Sequence, residues 1–95
     1  MVETARVEGE DRGRILLYTL STCVWCRMTK RFLNNLGVAY EYVDVDLLDR
    51  RQRKEALHEL RRWNPGISYP TVVVRDELAI VGMKEDEIRK ALNHE

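Results

Sequence analysis

Two cysteines stand three residues apart in Cys23-Val24-Trp25-Cys26, and the chain of 95 residues has no others. On a helix, residues at that spacing share one face, about one turn from each other. If a helix opens at the first of them, Cys23 meets unpaired backbone N–H groups and the positive end of the helix dipole, which stabilise a thiolate. Arg27 and Lys30 add positive potential nearby. Cys26 then lies one turn deeper and less exposed, within reach of a mixed disulfide formed on Cys23. Thiol–disulfide exchange needs this pairing of one sulfur that attacks and another that releases. A purely structural disulfide at this spacing would close too small a loop to constrain the chain much. A zinc site needs four ligands, and only His58 and His94 remain as partners, far apart in the sequence, so no metal is expected.

The elements that must hold these sulfurs are legible around them. Arg14-Ile15-Leu16-Leu17-Tyr18-Thr19 is a near-continuous apolar run, the pattern of a strand buried on both faces. Ser21-Thr22 follows as a capping pair for a helix that begins near Cys23. Val24, Met28, Phe32, Leu33 and Leu36 form its apolar stripe, with Arg27, Lys30, Arg31 and Asn34 opposite, and Gly37 ends it. A second strand spans 39–46. Asp49 caps a helix that runs to Trp63, with Ala56, Leu57 and Leu60 inward, and Asn64-Pro65-Gly66 stops it. Strands at 71–75 and 78–81 flank the turn Arg75-Asp76-Glu77, and a short helix spans 86–92.

The order β-α-β, α, β-β-α predicts an α/β fold: one mixed four-stranded sheet with helices on both faces. A CxxC that follows a strand and opens a helix inside a βαβ unit is the pattern of a redox motif. Residues 1–13 carry six charges and read as a flexible tail with a short extension into the first strand, leaving 14–95 as the domain.

Lys+Arg and Asp+Glu each number 16, so no basic field draws in nucleic acid. No apolar run is long enough to span a bilayer, and no secretory leader is seen, which predicts a cytoplasmic protein whose thiols are kept reduced. His58 lies in a charged helical stretch and faces solvent. The basic run Arg50-Arg51-Gln52-Arg53-Lys54 is interleaved with Glu55 and Glu59, as on a solvated face. Trp25 is either a filler at a tolerant position or an exposed apolar platform for a partner.

The stretch Leu17-Tyr18-Thr19, the Cys23–Cys26 motif, Tyr69-Pro70-Thr71-Val72-Val73-Val74 and Gly82 before a short helix together resemble a glutaredoxin, over residues 14–93. The resemblance implies a thioredoxin/glutaredoxin-like fold in which Pro70 is cis and faces the cysteines. It also implies that the backbone of Tyr69 pairs with substrate as an added strand, so that Tyr69, Pro70, Thr71 and Gly82 bind substrate beside Trp25. Glutathione-using members carry Cys-Pro-Tyr-Cys, a Lys three residues before the first Cys and a Gly-Gly-x-Asp-Asp stretch. Here those positions hold Cys-Val-Trp-Cys, Leu20 and Val81-Gly82-Met83-Lys84-Glu85.

In these respects the chain is similar to NrdH-type redoxins, which use Cys-Val-x-Cys and a single Gly with a basic residue nearby. Their electrons come from a flavin-dependent thioredoxin reductase, and ribonucleotide reductase is their typical acceptor. The Trp-Ser-Gly-Phe-Arg-Pro tail pattern common in that group is absent from this sequence. The expected function is reduction of protein disulfides by a monomer without cofactor beyond its own redox-active cysteines, fed by a flavin- or iron–sulfur-dependent reductase. The alternatives are a glutathione-dependent glutaredoxin and an iron–sulfur cluster carrier.

Overall fold

The computed structural model describes residues 2–93. In chain order it contains β1 (Ala5–Val7), β2 (Ile15–Thr19), α1 (Val24–Leu36), β3 (Tyr40–Asp44), a 3-10 turn (Val45–Leu47), α2 (Arg50–Trp63), β4 (Thr71–Val74), β5 (Leu78–Val81) and α3 (Glu85–Leu92). One sheet results, in the order β1-β3-β2-β4-β5. β2 and β3 run parallel across the α1 crossover, and every other pairing is antiparallel.

The apolar run of β2 sits at the centre of this sheet and is buried at all five positions. Its side chains divide by the two-residue period of a strand. Ile15 and Leu17 pack with Phe32 and Leu33 of α1 and with Ile88 and Leu92 of α3. Leu16 and Tyr18 pack with Ala56 and Leu60 of α2. Two layers of helix thus enclose the sheet, and each aliphatic side chain fully buried there contributes roughly 1.5–3 kcal/mol. Trp63 packs at the edge of the α2-side cluster, while His58 stays exposed.

The sheet has five strands, not four, and the fifth comes from the segment read as a tail. Ala5–Val7 pairs with Tyr40–Tyr42, and beyond it Glu10 bridges to Val38. Glu10 donates its N–H to the Gly37 carbonyl at 2.8 Å and accepts from Ala39 at 2.9 Å. The crossing is so close that a Cβ on Gly9 would lie 2.6 Å from the backbone carbon of Val38. Polar side chains along this segment hid the pairing, because its hydrogen bonds come from the backbone and need no apolar stripe.

Other boundaries shift slightly. β3 stops at Asp44 because the chain tightens into the 3-10 turn, and α3 begins at Glu85. Asp49 caps α2 as expected, its carboxylate accepting the Gln52 N–H at 2.8 Å. Gly37 closes α1 by donating its N–H to the carbonyls of Leu33 and Asn34. The turn between β4 and β5 places Arg75 and Asp76 at φ 54 and 55. Both lie in the three-residue turn that joins Val74 to its partner Leu78. His94 lies outside the described residues.

Candidate active site

α1 starts at Val24, and Cys23 is itself the residue that caps it: its sulfur accepts the Cys26 N–H at 3.1 Å. A thiolate in this position is held by a backbone donor of the first turn. The expected cap, Ser21-Thr22, does other work. Ser21 donates its N–H to the Asp46 carboxylate at 2.9 Å, and its hydroxyl to the second oxygen of the same group. Those bonds draw the loop before Cys23 onto the 3-10 turn after β3. They also hold the Asp46 carboxyl below its ordinary range, the Ser21 hydroxyl being the main cause.

The two sulfurs differ sharply in access. Cys23 is half-buried, whereas Cys26 is 0% exposed. Burial pushes the Cys26 thiol up to about 12; the nearby Cys23 sulfur acts in the same direction, and the Leu20 backbone and Lys30 act against it.

The Tyr69–Pro70 bond is cis. Tyr69 is half-buried, and its hydroxyl is pushed up by burial first, then by the negative charges of Asp46 and Cys26. This loop therefore lies near both Cys26 and the Asp46 carboxylate. Gly82 donates its N–H to the Pro70 carbonyl at 2.8 Å, joining the end of β5 to the start of β4. Thr71 is fully buried: its hydroxyl donates to the Ser68 carbonyl at 2.9 Å and accepts from Asn64 Nδ2 at 3.2 Å. Its side chain is turned inward and braces the loop.

The face of α1 is rotated from the expected one. Its buried residues are Cys26, Thr29, Phe32 and Leu33. Val24 and Met28 are instead 56% and 43% exposed beside Trp25 at 59%, making an apolar apron next to Cys23, and Leu36 is also exposed. The rotation follows from placing Cys26 in the interior. Thr29 shares that inner face, with its hydroxyl 2.8 Å from the Trp25 carbonyl and 2.9 Å from the Met83 sulfur. Lys30, assigned to the solvent side, turns inward and pairs with Asp44 at 3.3 Å. Asp44, Asp46 and Ser21 escaped sequence reasoning. The alternation Asp44-Val45-Asp46 at the end of a strand was the signal that could have found the two acids.

At the positions where glutathione users place charges, Leu20 packs against the α2-side core and Lys84 is exposed, 3.7 Å from Glu87. No described helix is long and apolar enough to cross a membrane.

The glutaredoxin family model matches residues 15–79. The glutaredoxin from Methanosarcina mazei Go1 is similar in structure with a TM-score of 0.90 at 50% identity, covering 96% of this chain and 88% of that one. NrdH-redoxin from Escherichia coli, whose structure has been related to a thioredoxin-like activity profile, has a TM-score of 0.66 at 32% identity, covering 86% and 96%. The glutaredoxin-like protein NrdH of Escherichia coli K12 is 34% identical over 77 residues, 81% of this chain and 86% of its own length.

Proposed function

Because the chain belongs to the glutaredoxin family, with NrdH-type relatives, and is a thiol–disulfide oxidoreductase, we propose that Cys23 attacks protein disulfides, that Cys26 resolves them, and that a thioredoxin-reductase-type enzyme supplies the electrons. The observation that carries the division of roles is the contrast in access between the sulfurs: the half-buried one has a backbone donor aimed at it and the other is enclosed.

The Cys23 thiolate attacks one sulfur of the substrate, whose disulfide breaks and whose other sulfur leaves with the electron pair and takes a proton. Cys26 then attacks Cys23, expelling the second substrate thiol and closing the Cys23–Cys26 disulfide. Two electrons pass from the dithiol to the substrate. No separate cofactor is needed, as is general in this family. The Tyr69 backbone beside the cis Pro70 is the strand edge on which substrate lies, next to Gly82 and Trp25.

Leu20 and Lys84 support a reductase over glutathione as donor. The carboxylates and ammonium of glutathione are strongly hydrated and need charged partners when they bind. Each charge-assisted hydrogen bond lost costs roughly 1.5–3 kcal/mol, so two absent partners weaken binding by about two to four powers of ten. The exposed Val24, Trp25 and Met28 supply the apolar contact that a protein partner uses. The acceptors are disulfide-containing proteins, with ribonucleotide reductase the one suggested by the NrdH likeness, and the protein works as a cytoplasmic monomer.

The test offers the oxidised protein either glutathione with glutathione reductase, or NADPH with a thioredoxin reductase. The second system should reduce it far faster, and Leu20→Lys with Lys84→Asp should raise glutathione-dependent turnover. Efficient turnover of a glutathione mixed disulfide by the unmodified protein would replace this reading with a glutathione-dependent one. Cys26→Ser should trap a mixed disulfide on Cys23, and trapping on Cys26 in Cys23→Ser would reverse the roles.

A further inference from the structure

Behind Cys26 lies a polar cluster that the two exchange steps leave unused. Lys30 follows Cys26 by one helical turn on the same face. Its neighbours Arg27 and Arg31 are exposed, yet the Lys30 side chain is only 20% exposed. Its ammonium lies 3.3 Å from Asp44, itself 16% exposed, and 3.9 Å above the ring of Tyr42. The same Asp44 oxygen lies 2.6 Å from the hydroxyl of Thr19, a fully buried residue just before the cysteine loop, and that hydroxyl is also 3.1 Å from the Val43 carbonyl. The Tyr40 hydroxyl lies 3.4 Å from the Lys30 carbonyl and 2.9 Å from Asn34 Oδ1, fixing the next turn of the helix. Desolvating a lysine costs free energy that a solvent-facing rotamer avoids. Here a carboxylate and an aromatic face hold it inward, and a buried hydroxyl fixes the carboxylate.

We propose that Lys30 is a positioning residue for the release step: fixed by Asp44 and Tyr42, its ammonium stabilises the Cys26 thiolate that opens the mixed disulfide on Cys23. The inference rests on the reading of Cys26 as the resolving thiol. In that step the Cys26 thiolate bonds to the Cys23 sulfur and the bond from Cys23 to the substrate breaks. The substrate sulfur leaves with the electron pair and takes up the proton that Cys26 gave away. A buried thiol resists giving up that proton. The groups that act on it are Cys23 and the Leu20 backbone in the motif loop, Lys30 on α1, and Tyr69 from the loop before β4, with Asp46 close to Tyr69. Of these, Lys30 is the cation, and it works against the burial. From the sheet, Asp44 and Tyr42 of β3 and Thr19 of β2 complete the surroundings of the ammonium.

The size of the effect follows from two opposing trends. A nearby opposite charge moves a titration by ~1–3 units. Losing one unit removes about tenfold of the thiolate at neutral pH, but a more basic thiolate attacks roughly threefold faster. Release should therefore slow by roughly three- to thirtyfold when the charge is removed, and its pH midpoint should move by the full shift.

Stopped-flow reaction of the reduced protein with excess 5,5′-dithiobis(2-nitrobenzoate) separates the steps. The first thionitrobenzoate reports attack by Cys23 and the second reports release by Cys26. Lys30→Met should slow the first phase less than the second, since Lys30 acts chiefly on the later step. The second phase should slow by the factor above, with its pH midpoint displaced upward. Lys30→Arg, which keeps the charge, should restore both rate and midpoint. A retained first phase shows a folded site, and Lys30→Gln replaces the methionine variant if that one folds poorly. An unchanged second phase and pH profile in Lys30→Met, equal slowing of both phases, or failure of Lys30→Arg to restore the midpoint would each overturn the proposal. Cys26→Ser must release a single equivalent; release of two would overturn the assignment of the resolving thiol itself.

Discussion

The Asp46 carboxylate accepts both the backbone N–H and the hydroxyl of Ser21, so the turn after β3 clasps the loop that leads into Cys23. Neither residue touches the sulfurs, yet together they fix the entry to α1. The side chain nominally suited to capping the helix is spent here, and the cap falls to Cys23.

Asp46→Asn should loosen this entry and lower stability at pH 7 by about 1 kcal/mol, near the low end for a charged hydrogen bond because solvent reaches the carboxylate. The folded carboxyl titrates below its ordinary value of 3.8, so its contribution is fully present above that pH and is lost as pH falls through the lower folded value. Urea unfolding at descending pH should show the gap between wild type and variant closing in the acid range. A gap that persists undiminished would mean that the clasp does not depend on the charge.

The buried Cys26 thiol makes an alkaline prediction of opposite sign. Its ordinary value is 9.0 and its folded value about 12, so above pH 9 the unfolded chain gives up a proton that the folded chain keeps. The reduced protein should lose stability across that window, by at most about 1.4 kcal/mol per pH unit from this group. Cys26→Ala removes the effect, so the difference in urea midpoint between reduced wild type and variant should shrink as pH rises from 8 towards 11.

Gly9 tests whether the N-terminal segment belongs to the fold. A methyl group there would press on the backbone of Val38, which cannot swing aside. Gly9→Ala should cost about 1–3 kcal/mol, the usual range for overpacking. A thermal melt identical to wild type would mean that the Glu10–Val38 bridge contributes nothing.

Much of the scaffold was legible because its signals are local. The run Ile15–Thr19, the Asp49 cap, the stop at Asn64 and the hairpin after Val74 each announce themselves within a few residues. The two cysteines were legible for the same reason. β1 was not, since the three residues Ala5–Val7 are too short a run to show a strand until β3 offers its edge. The orientation of α1 was misread because Cys26 and Thr29 were left out of the apolar stripe, while Val24 and Met28 were included, although both are exposed. Asp46 was invisible as a site residue, and Lys30, although counted as positive potential near the cysteines, was placed on the solvent side, because their partners come from other elements.

The nearness of Cys26 to Cys23 also bears on how the protein survives peroxide. A sulfenic acid formed on Cys23 would condense with the enclosed Cys26, losing water, before a second oxidant could carry it to the irreversible sulfinic acid. The product is the same disulfide that normal turnover generates, so the electron donor that serves catalysis also erases the lesion. Mass spectrometry after peroxide exposure should find the disulfide in wild type and sulfinic acid at Cys23 in Cys26→Ser. In cells under oxidative attack, Cys26 would thus act as the guardian of Cys23.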